Sequence, residues 1–146
     1  MTLRTSIFML SFFGIISTKI WAQKIADSII VYHCSEKISV YPRLTLEGLL
    51  LEERYSGRQI KKGFDKKIFS FISSQDSLTS VNLKYLEPRF AIVYSFNGKP
   101  GVLIFDEFGR VKFDPKDNKT YISFDIVKLT EQYVPKLRKV RQKQNK

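Results

Sequence analysis

The sequence is poor in the residue types from which compact metal sites and disulfide frameworks are built. It contains one cysteine, Cys34, and one histidine, His33, among 146 residues. A single cysteine excludes an internal disulfide and a structural zinc site, and a single histidine excludes a metal site with three histidine ligands. The fold must therefore depend on an apolar core, and we expect no metal ion or other cofactor.

The sequence also lacks an apolar run long enough to cross a membrane. Its most apolar stretch, residues 7–16, spans ten residues, or roughly 15 Å as a helix, which is about half of the hydrocarbon layer. Arg4 precedes this stretch and Ala22 offers a small residue for cleavage, so residues 1–22 are predicted to be a secretory signal peptide. A retained anchor is the alternative. We expect an exported protein, periplasmic or secreted, whose mature chain starts at Gln23 and has no transmembrane span.

The mature chain is short and strongly basic. Removal of residues 1–22 leaves 124 of the 146 residues and takes away two cations and no acid, so the formal charge falls from +11 to +9. A chain of this length fits one domain with a single core. We assign residues 23–135 to that domain and residues 136–146, which carry six Lys or Arg and no acid, to a basic C-terminal tail. This tail should be either solvated or a frayed extension of the last helix.

Apolar patterning predicts several strands. Residues 28–34 are rich in β-branched and aromatic side chains, which is typical of a buried strand. Residues 90–96 and 102–105 form the clearest pair, with a turn signal at Asn97-Gly98 between them. The Lys-Pro-Gly that follows this turn suggests a loop wider than two residues. Residues 111–113 continue the antiparallel meander as a further strand.

Two segments have apolar residues at the spacing of a helix. Between residues 65 and 74 apolar side chains recur at helical intervals, with Asp65 as the expected N-cap, and a second helix over 123–134 should end at Pro135. Residues 38–54 are compatible with either a helical turn or a strand. The whole pattern predicts an α+β fold: one antiparallel sheet, a meander of about three to four strands, with two helices packed on one face.

Candidate catalytic residues are few, and their positions in the sequence do not favour an active site. His33 and Cys34 are adjacent in a predicted strand, so their side chains should point to opposite faces of the sheet and should not form a thiolate pair. Neighbouring carboxylates occur at 52–53, at 106–107 and in the loop 114–118, which carries a glycosylation sequon at Asn118. That loop lacks the spacing of an EF-hand, so we expect a turn rather than a calcium site. We expect no enzymatic activity.

A basic cluster is the feature that departs most from an ordinary solvated surface. Fourteen residues, 54–67, carry six cations against one acid, Asp65. The two glycines in this segment lack the Gly-Lys-Ser/Thr ending of a phosphate-binding loop, so nucleotide binding is not supported. Export argues against nucleic acid, and the predicted partner is an anionic lipid, an acidic glycan or an acidic protein. The candidate anion-binding residues are Arg54, Arg58, Lys61, Lys62, Lys66 and Lys67.

Three functional classes remain compatible with the sequence. The first, which we favour, is a non-catalytic binding module that uses the basic cluster to contact an anionic partner. The second is an accessory or structural subunit of a larger exported assembly, which would require a contiguous exposed apolar patch. The third is a small carboxylate-based hydrolase, which would require acids converging in a cleft. The oligomeric state is left open.

Overall fold

The computed structural model describes residues 28–35, 44–83 and 85–137. The predicted signal peptide, the predicted start at Gln23, residues 38–43 of the ambiguous segment and residues 138–146 of the basic tail lie outside the described residues. Within the described ranges, no helix has the length and apolar character needed to span a bilayer.

The described residues include seven strands, which form one sheet in which every neighbouring pair is antiparallel. Their order across the sheet is β2-β1-β4-β5-β6-β7-β3, so the two longest strands, β4 and β5, lie inside it. The strands are β1 (Ser28–His33), β2 (Glu53–Ser56), β3 (Thr79–Val81), β4 (Phe90–Phe96), β5 (Lys99–Phe105), β6 (Arg110–Lys112) and β7 (Thr120–Ile122).

The predicted α+β class is confirmed, whereas the predicted count of three to four strands is wrong. The additional strands β2, β3 and β7 have only four, three and three residues. Such short segments cannot display a convincing alternation, and they are strands because each pairs with a longer or more central neighbour. The ambiguous segment 38–54 contains both expected possibilities, a helical turn at Leu46–Leu49 and then the start of β2.

The central hairpin turns more tightly than predicted. Asn97 and Gly98 have φ values of 51° and 73°, the left-handed conformation that a two-residue type I′ turn requires, and Lys99 already pairs with Phe96. Pro100 is tolerated in β5 because its partner is Ser95, a non-hydrogen-bonded position of the ladder, where no N–H is needed. The expectation of a wider loop is therefore wrong.

The described residues include three complete α-helices, α1 (Leu46–Leu49), α2 (Phe64–Ser73) and α3 (Asp125–Tyr133), and residues 135–137 are helical as well. Helices α2 and α3 pack together on one face, and Phe64 stacks on Tyr133 between them. The predicted number of two helices is wrong. The N-cap of α2 is Gly63, at φ 87°, and Asp65 lies inside the first turn instead of capping it. The principal core between these helices and the sheet contains Val31, Ile68, Ile92, Leu103, Phe105, Val111, Ile126 and Val127.

The opposite face of the sheet is covered as well, which the sequence did not indicate. Leu49 of α1 packs with Cys34, Ala91 and Ile104 in a second, smaller core. The short α1 is therefore a third helix on the face that the predicted two-helix arrangement left open. We call this side the α1 face.

The chain beyond α3 remains part of the fold for several residues. Helix α3 ends at Tyr133, immediately before Val134 and Pro135, as expected from the proline. Leu137 is nevertheless only 2% exposed and belongs to the principal core. The packed part of the protein thus includes the second residue of the segment assigned to the solvated tail.

Candidate anion-binding surface

The six cations of the basic cluster are all exposed. They lie on four consecutive structural segments: one on β2, one in the 3-10 turn 57–59, two in the following loop and two in the first half of α2. The chain therefore presents them along one continuous stretch at the end of the sheet where β1 begins. These residues are Arg54, Arg58, Lys61, Lys62, Lys66 and Lys67.

Local hydrogen bonds hold this stretch in place. The Gln59 side chain accepts a hydrogen bond from the Ser56 backbone N–H at 3.1 Å, which closes the 3-10 turn. The Lys61 N–H then donates to the Tyr133 carbonyl at 2.8 Å, so the connection between β2 and α2 is fixed to the end of α3. The lysine side chains thus project from an anchored backbone.

The cluster has no carboxylate partner within the described part of the chain. An ion pair seen in this part of the chain joins Arg110 to Asp106, neither of which belongs to the cluster. In addition, Lys66 and Lys67 occupy the N-terminal half of α2, where the helix dipole disfavours positive charge by about 0.3–1 kcal/mol per residue. Neither ion pairing nor the helix dipole explains why cations are found here.

The beginning of the basic tail lies near the same surface. Lys136 is exposed and follows Tyr133 by three residues, a separation of at most about 11 Å along the chain. Because the Tyr133 carbonyl is bonded to Lys61, the first cation of the tail is close to the cluster. The other cations of the tail belong to the range outside the described residues.

A concavity of about 260 Å³ beside the cluster does not itself select an anion. Its lining includes Lys61 and Asp65, whose charges oppose one another, together with Ile29, Ile60 and Phe64. An anionic partner would therefore be held by the exposed side chains around this concavity rather than inside it.

The structure separates His33 from Cys34, as the strand geometry predicted. The His33 ring packs on Phe90 with centroids 4.7 Å apart, on the principal-core face, whereas Cys34 is buried in the second core. Burial lowers the pKa of His33 to about 4, an effect that Glu53 partly opposes and Arg89 reinforces. A neutral imidazole packed on phenylalanine has a structural role, and Cys34 has no histidine base beside it.

Carboxylates from two of the neighbouring pairs form local hydrogen bonds. Asp106 is 2% exposed, and its Oδ1 accepts the backbone N–H groups of Phe108 and Arg110, both at 2.9 Å. Its Oδ2 accepts a hydrogen bond from Arg110 Nε. Glu107 next to it is exposed, so the two carboxylates do not converge. Elsewhere, Glu53 Oε2 accepts a hydrogen bond from the Tyr55 hydroxyl.

The loop 114–118 is a hydrogen-bonded turn. Asp114 Oδ1 accepts the Lys116 N–H at 2.8 Å, and Asp117 Oδ1 accepts the Lys119 N–H at 3.1 Å. These Asx-type contacts are those that favour aspartate in turns. No group of three or more potential metal ligands occurs within the described ranges. The exposed sequon residue Asn118 lies in the same loop.

A larger pocket, which the sequence did not reveal, lies on the α1 face. It has a volume of about 500 Å³, is open to solvent, and lies between strands β5 and β6 and the segments 44–46 and 85–88. Arg110 and Lys112 line this pocket. In the sequence, the only pattern that could have pointed to the pocket was the alternation of these two cations with Val111, which is buried. That alternation ordinarily indicates a solvated face, and only tertiary structure shows that two chain segments cover it.

Comparison with known proteins adds no assignment. No protein-family model matches the chain, and no significant match was found among curated proteins or among solved structures.

Proposed function

We propose that this protein is an exported, non-catalytic binding module whose basic cluster contacts an anionic partner outside the cytoplasm. The observation that carries the proposal is the exposure of all six cations of the cluster, with no carboxylate partner in the described part of the chain. Two of them, Lys66 and Lys67, lie near the N-terminus of α2, where the helix dipole disfavours positive charge. Cations that do not benefit folding are best explained by binding.

An anionic surface would be attracted by several of these charges together. Each Lys or Arg held close to an anionic membrane contributes about 1 kcal/mol, and every 1.4 kcal/mol is tenfold in affinity. Four lysines of the cluster would thus account for a factor of several hundred. Salt weakens the attraction, because charges are screened beyond about 8–10 Å at physiological ionic strength.

The test is to reverse Lys61, Lys62, Lys66 and Lys67 to glutamate and to measure binding to vesicles containing phosphatidylglycerol and to an acidic polysaccharide. We expect wild-type binding that falls steeply with salt and a loss of at least a hundredfold in the variant. The melting temperature should stay unchanged or rise slightly, because glutamate near the start of α2 is favoured by the helix dipole.

A matched control reverses four exposed lysines outside the cluster, Lys99, Lys116, Lys119 and Lys128, so that both variants carry the same net charge. This control should keep most of the binding. If the two variants lose binding equally, net charge alone is responsible and the cluster is not a site. If the wild-type protein binds neither probe at low salt, the proposed function is wrong.

The second candidate function, an accessory subunit of an exported assembly, is favoured by an exposed apolar group at one corner of the sheet. Phe108, Ile122 and Phe124 are 66%, 41% and 43% exposed. Strand pairing places Ile122 beside Arg110, and the Ser123 N–H bonds the Gly109 carbonyl at 2.8 Å, so the three side chains belong to one region. Exposed apolar groups of this kind are found at protein interfaces.

Site-specific photo-crosslinking in the native host separates the two candidates. A benzophenone amino acid at position 108 should capture a partner protein if the apolar corner is the docking surface, whereas the same group at position 62 should do so if the basic cluster binds an acidic protein. The crosslinked band must disappear when Phe124→Ser or Lys66→Glu, respectively, is introduced beside the probe. A band that is insensitive to these changes would count against the corresponding surface.

A further inference from the structure

The pocket on the α1 face is large enough and apolar enough to hold a small molecule. Its volume of about 500 Å³ falls within the usual range of ligand sites, about 300–1,000 Å³. It lies on the face opposite α2 and α3, so it is separate from the core between them. Most of its wall consists of apolar side chains, among them Leu44, Leu46, Leu86, Pro88 and Ile104.

Two cations enter this apolar pocket from β6. Lys112 is half-buried, and its Nζ donates to the Asp117 carbonyl at 2.9 Å, an uncharged acceptor. Arg110 uses Nε to bind Asp106, and its guanidinium lies over the Phe108 ring, 5.4 Å from the ring centroid. Its terminal nitrogens make no hydrogen bond within the described ranges. An ammonium group that is partly withdrawn from water and bound only to a neutral oxygen is a favourable place for an anion.

One acid, Glu87, also lines the pocket. It forms no ion pair with Lys112 or Arg110 in the structure. The charge of Arg110 is compensated by Asp106, so Lys112 is the uncompensated cation of the pocket. Glu87 repels anions and so disfavours a ligand with several negative charges. This balance fits a ligand with a single negative charge better than a polyanion.

We propose that the pocket binds a small amphipathic monoanion, an apolar body that ends in one carboxylate. The carboxylate lies against Lys112 and the free nitrogens of Arg110, and the apolar body contacts Leu46, Leu86 and Ile104. This site is distinct from the basic cluster, which lies at the β2 side of the sheet and is wholly exposed.

The experiment measures binding of decanoate to the protein by calorimetry, with decanol and acetate as matched probes. Decanoate should bind saturably. Decanol, which lacks the charge, and acetate, which lacks the apolar body, should each bind at least tenfold more weakly. Equal binding of decanol and decanoate, or no saturable decanoate binding at millimolar concentration, would overturn the proposal.

Variants then locate the site and the sign of its charge. Lys112→Met keeps the length of the side chain and should weaken decanoate binding at least tenfold, because a charge-assisted contact is lost. Glu87→Gln should strengthen binding a few-fold, because a like charge is removed. Tyr85→Ala, at a rim position that is 62% exposed, should weaken binding, because the ring forms part of the pocket wall.

The basic-cluster variant with four glutamates serves as the control for location. It should bind decanoate as tightly as the wild type, because none of its altered residues lines this pocket. If the cluster variant loses decanoate binding while Lys112→Met keeps it, the anion binds at the cluster and the proposed pocket site is wrong. Weaker binding by Glu87→Gln would likewise overturn the assignment of an anionic ligand.

Discussion

Gly109 is packed directly against the backbone of Phe124. A Cβ atom placed on Gly109 would lie 2.8 Å from both the Cα and the N of Phe124 and 2.9 Å from the carbonyl carbon of Ser123. The same residue has a φ of 78°, and its carbonyl accepts the Ser123 N–H at 2.8 Å. The turn between β5 and β6 is thereby locked to the chain that leads into α3.

Gly109→Ala should therefore be strongly destabilising, and Gly98→Ala provides the matched control. Both glycines have positive φ, but a Cβ on Gly98 meets nothing within 4 Å. We expect Gly98→Ala to cost about 1 kcal/mol, the strain of the left-handed backbone alone, and Gly109→Ala about 3 kcal/mol or more. Urea unfolding of the two variants measures the difference. Equal costs would show that the contact with Phe124 is unimportant.

Asp106 should be required for folding rather than for chemistry. Asp106→Ala removes the acceptor of two backbone N–H groups and of Arg110 Nε, so we expect a loss of about 2–4 kcal/mol in the free energy of unfolding. Glu107→Gln, on the exposed neighbour, should stay within about 0.5 kcal/mol. An Asp106→Ala protein with unchanged stability would contradict the structural role given to this carboxylate.

His33 should make the protein less stable in mild acid. Its pKa falls from 6.5 to about 4 in the folded state because of burial. The unfolded chain therefore binds a proton at higher pH than the folded chain, and stability drops as pH falls from about 6.5 to about 4, with no further loss from this group below that. The full shift corresponds to at most about 3 kcal/mol, and partial exposure of the ring reduces it.

His33→Phe tests this dependence, because the substituted ring retains the stacking on Phe90 and cannot be protonated. The difference in the free energy of unfolding between wild type and variant should change by about 1–3 kcal/mol between pH 7 and pH 4. Glu53 and Arg89, which face His33, are present in both proteins and contribute equally in first approximation. A constant difference across this range would contradict the lowered pKa.

The proposed export of the protein leads to a separate prediction about the mature chain. Protein purified from its native host should begin at Gln23 or within a residue or two of it, because the apolar stretch 7–16 is too short to remain as an anchor. Intact-mass measurement decides the matter. Full-length chain starting at Met1 in the membrane fraction would contradict the prediction of a cleaved signal peptide.

Periodicity in the sequence was sufficient to predict the long strands and helices. The alternation over 90–96, the Asn97-Gly98 turn signal and the helical spacing before Pro135 predicted the central hairpin and α3, because these patterns are local consequences of burying one face. The opposite orientations of His33 and Cys34 followed from the same rule. Composition also identified the basic cluster, whose exposure the structure confirms.

Tertiary structure alone decided the remaining features. Strands β2, β3 and β7 are too short to carry a pattern and exist because they complete the hydrogen bonding of neighbouring strands. The pocket around Lys112 arises because segments 44–46 and 85–88, distant in sequence, both cover the α1 face. A strand with alternating polar residues has the same sequence pattern whether water or another part of the chain covers its polar face. Only the folded chain therefore distinguishes a solvated face from a pocket.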